Sequence, residues 1–277
     1  TTANGAEEDK FGSVVSLSGN LVAISSPGDT EFTGGTGANS GSVEIWEKVL
    51  TNAPSTFTWT FRAKLVGSTT GSNFGADICL EGDTLAVAVP GHVNSNYTNG
   101  AILLYQGIGS NWSLFQTIKA PFNAVDQNGF GEKVVLRDNY LGASWSAYNN
   151  NTGLASVYSK SRTTNKYGKA GILDSIPEAT GFGEKENDKY GLSIDIDSTG
   201  TLLPSAIVGA NRKCIVFQRY GEDEFGSGLW SESDVILPTI EEVDGFGQNV
   251  KIEPYVVIGP KVKIGNNVII KSFSHLE

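Results

Sequence analysis

The chain contains the stretch Phe11-Gly12-Ser13-Val14-Val15-Ser16-Leu17-Ser18-Gly19-Asn20-Leu21-Val22-Ala23-Ile24, and it then repeats this pattern four more times. An aromatic residue followed by glycine opens each copy and leads into two short apolar runs. The openings are Phe11-Gly12, Phe74-Gly75, Phe130-Gly131, Tyr190-Gly191 and Phe246-Gly247. Starts near residues 11, 74, 130, 190 and 246 define five units of roughly 55–63 residues, a period typical of repeat architectures.

The composition indicates many short strands and turns. Gly accounts for 34 of the 277 residues, and only 18% of residues are charged. Short runs of Val, Ile, Leu and Tyr alternate with Gly, Asn and Ser, and no long segment has the 3.6-residue period of an amphipathic helix. We therefore expect an all-β fold with almost no helix.

The five copies can be compared position by position. The residues four and six places after each opening aromatic are apolar in every unit: Val15/Leu17, Ile78/Leu80, Val134/Leu136, Ile194/Ile196 and Val250/Ile252. Because alternate residues of a strand share one face, this face should pack against a neighbouring unit. The residues between them differ from unit to unit: Ser16, Cys79, Val135, Asp195 and Lys251. Four-stranded antiparallel units that repeat in this way are typical of β-propeller blades.

The sequence therefore predicts a five-bladed β-propeller whose last blade is incomplete. A polar leader over residues 1–10 precedes a single domain over residues 11–275. In the first four units the predicted third strand ends in an aromatic residue: Trp46, Tyr105, Tyr158 or Phe217. In the fifth unit Lys271 stands at this position, and no fourth strand follows. A rival interpretation of residues 257–270 is the six-residue repeat of left-handed β-helix acyltransferases. The Phe246-Gly247 opening at the expected distance favours the blade, since one coil is too short to bury a core alone.

Two segments carry a resemblance to a known family. These are Leu85-Ala86-Val87-Ala88-Val89-Pro90 and Gly100-Ala101-Ile102-Leu103-Leu104-Tyr105. With the Phe-Gly openings, they resemble FG-GAP repeats, the blades of the integrin α-subunit headpiece and of many secreted and surface propellers. The resemblance covers about residues 10–273 and is strongest in the first two units. It implies a binding or adhesion module that recognises a glycan or a surface protein.

Charge and motifs limit the partners and the location. A net charge of −10 and a pI near 4.8 argue against nucleic acid, and no apolar run is long enough for membrane insertion. Glycosylation triplets beginning at Asn96, Asn111 and Asn150 are typical of a secretory glycoprotein. We expect a secreted or cell-surface monomer, with Cys79 and Cys214 as buried free thiols.

The resemblance also raises the possibility of calcium, which integrin blades hold in an Asp-rich loop between their first two strands. Only Asp195 and Asp197 supply part of such a loop here, and the equivalent segments of the other units are short turns. Calcium takes about 6–8 oxygen ligands, whereas Asp and Gly are also common in plain turns. We predict no tight metal site and no cofactor, with Asp195 and Asp197 as the weak calcium candidate.

A carbohydrate-active enzyme is the main alternative to a binding module. Paired carboxylates could come from Asp77, Glu132, Asp195 and Glu184, but these occupy different repeat positions. The chain has two histidines, His92 and His275, and neither lies beside a nucleophile motif. We therefore predict no catalytic residues. A structural domain of a larger surface protein is a third possibility.

The loops between the second and third strands of each unit are the predicted binding surface, because variable loops on a rigid scaffold often carry function. The candidate ligand-binding residues are Trp145, Tyr148, Asn149, Tyr97, His92 and Arg212. Aromatic rings beside amides suit sugars and also protein interfaces. The competing interpretation is that Trp145 and Tyr148 only anchor their loop by packing.

Overall fold

The computed structural model describes residues 7–32, 35–36, 38–51, 56–92, 100–121, 129–161, 164–168, 177–198, 203–222, 228–237, 251–252, 257–258, 267–271 and 275–276. The chain divides into two compact units, one ending at Val235 and one beginning at Ile236. This differs from the single domain over 11–275 that the repeat spacing predicts.

The larger unit is built from four sheets. In the first, β1 (Val15–Ser18) and β2 (Leu21–Ser26) are followed by a small hairpin of β3 (Glu31–Phe32) and β4 (Gly35–Thr36), then by β5 (Ser42–Leu50) and β6 (Phe57–Val66). The second contains β7 (Ile78–Glu81), β8 (Thr84–Val89), β9 (Ala101–Ile108) and β10 (Asn111–Lys119). Their spatial orders are β1-β2-β5-β6 and β7-β8-β9-β10.

The third and fourth sheets repeat this meander. The third contains β11 (Lys133–Arg137), β12 (Tyr140–Trp145), a short helical turn α1 (Tyr148–Asn151), β13 (Leu154–Lys160), β14 (Tyr167–Gly168) and β15 (Ala179–Phe182). The fourth contains β16 (Ser193–Asp197), β17 (Ser205–Ala210), β18 (Lys213–Glu222) and β19 (Gly228–Ile236). The all-β prediction is thus confirmed, with four-stranded antiparallel sheets as the building block.

The outer position of the third sheet is filled by two short strands. β14 pairs with the end of β13 at Ser159 and Lys160, and β15 pairs with its first half over Leu154–Val157. Residues 179–182, which precede the opening of the fourth unit, therefore supply a last strand of the third sheet.

Successive sheets pack face to face through the apolar positions that the repeat comparison singled out. Ile78 and Leu80 are 5% and 3% exposed and join a core cluster with Ala23 and Ile45 of the preceding sheet. Val134 and Leu136 in the third sheet are buried in the same way. The prediction that this face covers a neighbour is confirmed for these sheets.

The positions between these apolar residues have a specific role. On β1, Ser16 Oγ accepts a hydrogen bond of 2.9 Å from Leu80 N–H on β7. Asp77, directly before β7, accepts from Val134 N–H through Oδ2 at 3.0 Å, and Cys79 Sγ on β7 accepts from Leu136 N–H at 3.2 Å. The first strands of consecutive sheets therefore lie side by side, and side chains of one satisfy the edge N–H groups of the next.

A glycine of one unit and the opening aromatic residue of the next unit form the junction between sheets. Gly100 and Gly153, just before β9 and β13, form parallel bridges with Phe130 and Tyr190, the openings of the following units. Both glycines have positive φ angles, of 85° and 87°. A Cβ atom at Gly153 would lie 2.1 Å from the carbonyl oxygen of Tyr190, so only glycine allows this approach.

The smaller unit corrects the predicted fifth blade. Its strands are β20 (Lys251–Ile252), β21 (Val257–Ile258), β22 (Ile269–Ile270) and β23 (His275–Leu276). β20 pairs with β22 and β21 with β23, both in parallel and both with an offset of 18 residues (251 to 269, 257 to 275). A blade would pair neighbouring strands antiparallel. A parallel offset of three six-residue repeats is the pattern of a β-helical coil, the rival interpretation of this segment.

Two smaller expectations concern the cysteines and the membrane. Cys79 and Cys214 are free thiols, as predicted, but both are half-buried rather than buried. Burial raises the pKa of Cys79, which also favours the thiol form. Among the described residues, no helix has the length and apolar character needed to cross a membrane.

Candidate functional site

The third sheet brings three of the predicted binding residues together. Trp145 ends β12, and Tyr148 and Asn149 lie in α1, the turn that leads into β13. Phe182, at the end of β15, completes the group. We call Tyr148, Asn149, Asn150 and Phe182 the asparagine platform.

The backbone of this turn is unusual. Asn149, Asn150 and Asn151 all have positive φ angles, of 47°, 57° and 62°, so the turn contains three consecutive left-handed residues. Asn tolerates this conformation better than most other residues with a side chain, which explains why the sequence places three asparagines in a row. Asn149 and Asn150 are exposed.

The turn is held in place from both sides. Gly153 N–H donates to Tyr148 O at 2.9 Å, and Thr152 Oγ donates to Asn149 O at 2.7 Å. Lys189 N–H, in the segment that leads to the fourth sheet, donates to Asn151 O at 2.7 Å. Because these carbonyl groups are engaged, the asparagine side chains are presented on a fixed backbone.

Three aromatic rings lie in a row in which exposure increases from Trp145 to Phe182. The ring of buried Trp145 lies 5.0 Å from that of half-buried Tyr148, which in turn lies 5.9 Å from the ring of Phe182. Phe182 is 44% exposed. Trp145 therefore supports the platform from below, as the packing interpretation expects, whereas Tyr148 and Phe182 offer ring surface to solvent.

Two other predicted binding residues, His92 and Arg212, lie next to β8 and between β17 and β18. His92 lies three residues after the end of β8 and is buried, and burial lowers its pKa. Arg212 is exposed in the tight turn between β17 and β18, with a φ angle of 64°. Tyr97 lies outside the described residues. The printed sequence places His92 and Arg212 on other segments of the chain than the asparagine platform.

The acidic residues considered for glycosidase chemistry are engaged separately. Asp77 Oδ2 accepts a hydrogen bond from Val134 N–H on β11, and Glu132 Oε2 accepts one of 2.6 Å from Ser146 Oγ. Glu184 forms an ion pair of 3.1 Å with Lys213, and Asp195 Oδ1 accepts from Ile196 N–H at 2.9 Å. The contacts that the structure describes link each acid to a different partner rather than to another acid.

The weak calcium candidate lies on β16. Asp195 and Asp197 are two residues apart and exposed on the same face of this edge strand. Within the described ranges, no group of three or more His, Cys, Asp or Glu side chains is placed to hold a metal ion. Residues 199–202, which follow the two aspartates, lie outside those ranges.

Sequence reasoning missed Phe182 and the side chains that bridge successive sheets. Phe182 lies outside the positions that were compared between the five units, so no repeat position identified it. The bridging side chains had a detectable signal. The positions three, five and seven after the opening aromatic carry polar acceptors in several units, including Ser16, Ser18, Asp77 and Glu81.

The fold and the platform define a class of protein: an all-β repeat protein with a rigid loop surface on one of its sheets. The FG-GAP repeat family model matches residues 1–45, which include β1, β2 and the start of β5. The resemblance to FG-GAP repeats is thereby confirmed for the first unit.

The smaller unit matches a different family. The model for bacterial transferase hexapeptide (six repeats) matches residues 246–277. The chain is 64% identical over 31 residues to the bifunctional protein GlmU of Nitrobacter hamburgensis and 58% identical over 31 residues to that of a Bradyrhizobium species, in each case 11% of this chain and 7% of the relative. It is 31% identical over 118 residues to the bifunctional protein GlmU of Rhodopseudomonas palustris, 38% of this chain and 25% of the relative. The chain thus spans a quarter or less of the length of these relatives.

Proposed function

We propose that the larger unit is a non-catalytic binding module, secreted or displayed on a cell surface, that recognises a carbohydrate through the asparagine platform. The observation that carries this proposal is the placement of Tyr148 and Phe182, two partly exposed rings 5.9 Å apart, beside exposed asparagine amides. Ring faces cover the apolar side of a sugar, and amides bond to its hydroxyl groups.

Rigidity supports this role. The backbone bonds to Tyr148 O, Asn149 O and Asn151 O fix the turn before any ligand arrives. A surface that is already ordered loses little conformational entropy on binding, so modest contacts suffice for measurable affinity. The formation of the turn alone would explain the left-handed asparagines. It would not explain why the ring of Phe182 beside them is exposed.

The proposal includes the arrangement of the sheets. We infer that the four antiparallel sheets are blades of an FG-GAP-type β-propeller. Their first strands lie side by side, and each sheet covers the face of the next, as radial blades do. We do not extend this to a fifth blade, since the parallel pairs of the smaller unit replace it.

A surface protein is the second candidate ligand. Tyr and Phe beside polar side chains also suit a protein interface, and 44% exposure makes Phe182 available to either kind of partner. No described contact favours the enzyme alternative, because Asp77, Glu132 and Glu184 each have separate partners. For the segment 246–277 we propose a structural β-helical coil.

The test is a glycan array probed with the purified chain, once with calcium and once with a chelator. The proposal predicts binding to at least one glycan class in both conditions. Replacing one platform ring, in the variant Tyr148→Ala or Phe182→Ala, should then lower affinity about tenfold or more, because each removes one ring face.

The matched control is Tyr220→Ala, which removes an aromatic ring of similar exposure on β18, away from the platform. It should bind like the unaltered chain. An empty array would overturn carbohydrate recognition and favour a protein partner. Binding that disappears with the chelator would contradict metal-independent recognition and make Asp195 and Asp197 the first residues to replace in a search for a calcium site.

A further inference from the structure

A cavity lies between the third and the fourth sheet of the larger unit and encloses about 90 Å³. Both of its walls belong to the same compact unit, which ends at Val235. Its lining combines small residues with three aromatic rings: Ala155, Gly181, Ala206, Tyr190, Phe217 and Trp230. The cavity is therefore a feature of the packing between two neighbouring sheets.

The wall from the third sheet lacks side chains that fill the preceding interface. Ile102 on β9 pairs with Ile118 on β10, and both are fully buried in the core cluster shared with the third sheet. Ala155 holds the position of Ile102, because each lies two residues after the glycine that bridges to the next unit. Its partner across β13 and β15 is Gly181, where the second sheet has Ile118. Two isoleucine side chains are thus replaced by a methyl group and a hydrogen atom.

The facing wall of the fourth sheet lacks a third large side chain. In each of these sheets, the aromatic residue that ends the predicted third strand pairs with a residue on the second strand. The pairs in the second, third and fourth sheets are Leu85 with Tyr105, Leu141 with Tyr158, and Ala206 with Phe217. Ala206 is 1% exposed, so it faces into the interface as the two leucines do, but without their bulk. The interface keeps its aromatic rings and lacks the aliphatic side chains between them.

Tyr190 adds one polar group to the lining. The openings of the second and third units, Phe74 and Phe130, are fully buried, and Tyr190 is buried at the same position with a hydroxyl group. A Cβ atom added to Gly181 would lie 2.4 Å from Tyr190 Oη and 3.0 Å from its Cζ. The hydroxyl group therefore lies directly over Gly181, where the preceding interface has the side chain of Ile118.

The Trp230 wall is held in place by a buried carboxylate. Trp230 Nε1 donates to Glu178 Oε2 at 3.1 Å. The other carboxylate oxygen, Oε1, accepts from Gly228 N–H at 2.7 Å and from Ser159 Oγ at 2.6 Å. The Glu178 side chain is fully buried, and Arg219 Nε lies 4.0 Å from it. Because the wall is fixed before a ligand enters, binding costs little conformational entropy.

An apolar void of this kind favours an apolar occupant. Atoms that line an empty void lose dispersion contacts, and a buried water needs about 2–4 polar partners, which a mainly apolar lining does not supply. Apolar protein cavities of about 150 Å³ stay dry and take up benzene or xenon. Gly181, Phe217 and Trp230 are partly exposed, which places the entrance on their side of the cavity.

We propose that this cavity is a binding site for a small apolar molecule, up to about one aromatic ring in size, whose single polar group faces the Tyr190 hydroxyl. The site is separate from the asparagine platform. Ala179 and Gly181 line the cavity, whereas Phe182 of the same strand contacts Tyr148 in the platform.

The test titrates the full chain with benzene and with phenol. Each probe should raise the midpoint of thermal unfolding in a saturable way, because it binds the folded chain. Two-dimensional NMR should show shifts centred on the amides of Ala155, Gly181 and Ala206. The absence of a saturable response, or shifts centred on another part of the chain, would overturn the proposal.

Two variants separate a binding site from a general effect of the probes. Ala206→Leu restores the side chain found at Leu85 and Leu141, so it should raise the midpoint by roughly 2–4 °C and abolish the response to both probes. Ala147→Leu adds the same group at an exposed position and should respond like the unaltered chain. An undiminished response in Ala206→Leu would contradict the assignment of the cavity.

Tyr190→Phe tests the polar contact, and it introduces the residue that opens the second and third units. It should weaken phenol binding roughly three- to tenfold, because one hydrogen bond is lost, and leave benzene binding unchanged. Equal losses for the two probes would overturn the role of the hydroxyl group. Circular dichroism of each variant checks that its fold is intact.

Discussion

Single glycine residues fix the junctions between sheets. Gly100 has a φ angle of 85° and lies directly against the opening aromatic of the next unit. A Cβ atom at this position would lie 2.4 Å from Phe130 O and 2.8 Å from Pro90 O. The motif of glycine followed by alternating apolar residues thus has a steric cause.

Gly100→Ala should lower the free energy of unfolding by about 2–4 kcal/mol, because it combines a strained backbone with overlap against two carbonyl oxygens. Urea denaturation measures the change. The control is Gly109→Ala, where φ is also positive at 60° but no atom lies within 4 Å of the added Cβ. It should cost only about 1 kcal/mol. Equal losses in both variants would contradict the steric explanation.

The burial of His92 should make the stability of the folded chain depend on pH. Burial lowers the pKa of His92 below its ordinary value of 6.5, so the unfolded chain binds a proton more readily than the folded one. Stability from this group is fully present above pH 6.5 and is lost as the pH falls from there through the lowered pKa.

His92→Gln should therefore remove part of the loss of stability on acidification, up to about 1.4 kcal/mol per pH unit. Urea denaturation of both proteins between neutral and mildly acidic pH measures this difference. Identical pH profiles would show that His92 does not titrate differently in the folded state.

At the scale of strands, the edges of successive sheets are joined by side chains. Asp77 is the best example, since its Oδ1 accepts from Ile78 N–H at 3.1 Å and its Oδ2 from Val134 N–H on the next sheet at 3.0 Å. Desolvation by burial raises the pKa of Asp77 and outweighs these hydrogen bonds, which lower it. The carboxylate thus links two elements at some electrostatic cost.

Asp77→Ala should lower the free energy of unfolding by about 1–3 kcal/mol, because it leaves the edge N–H of Val134 without its acceptor. Glu47→Ala is the comparison, since its 2.7 Å ion pair with Arg62 is about 30% exposed on each side and contributes below about 1 kcal/mol. Thermal or urea denaturation separates the two. A loss for Asp77→Ala no larger than for Glu47→Ala would show that the inter-sheet bond is dispensable.

The sequence predicts the strands and the packed face well, since period and alternation are local properties. It does not predict the role of Ser16 and Cys79, because a polar residue between apolar ones is equally consistent with solvent exposure. Phe182 joins the asparagine platform only through the long-range pairing of β15 with β13, which no local pattern encodes. Residues 246–277 fit two repeat types at once, and only the parallel pairing decides between them.

The whole molecule combines two kinds of repeat. The described core clusters draw their residues from the four sheets of the larger unit, and Trp230 is the last of them along the chain. Ile270 of the smaller unit is also buried, and it belongs to none of these clusters. The larger unit should therefore keep its stability when the chain is cut after Leu237. Urea denaturation should give a free energy of unfolding within about 0.5 kcal/mol of that of the full chain. Loss of the cooperative transition would show that residues 238–277 are required by the four sheets.

The edges of the second and third sheets are completed by side chains of the sheet that precedes each of them. Site-resolved amide hydrogen exchange tests this most directly, because Leu80 and Val134 are edge amides of these two sheets. Leu80 and Val134 should be protected by Ser16 and Asp77. Rapid exchange at both amides would contradict the side-by-side packing of the sheets.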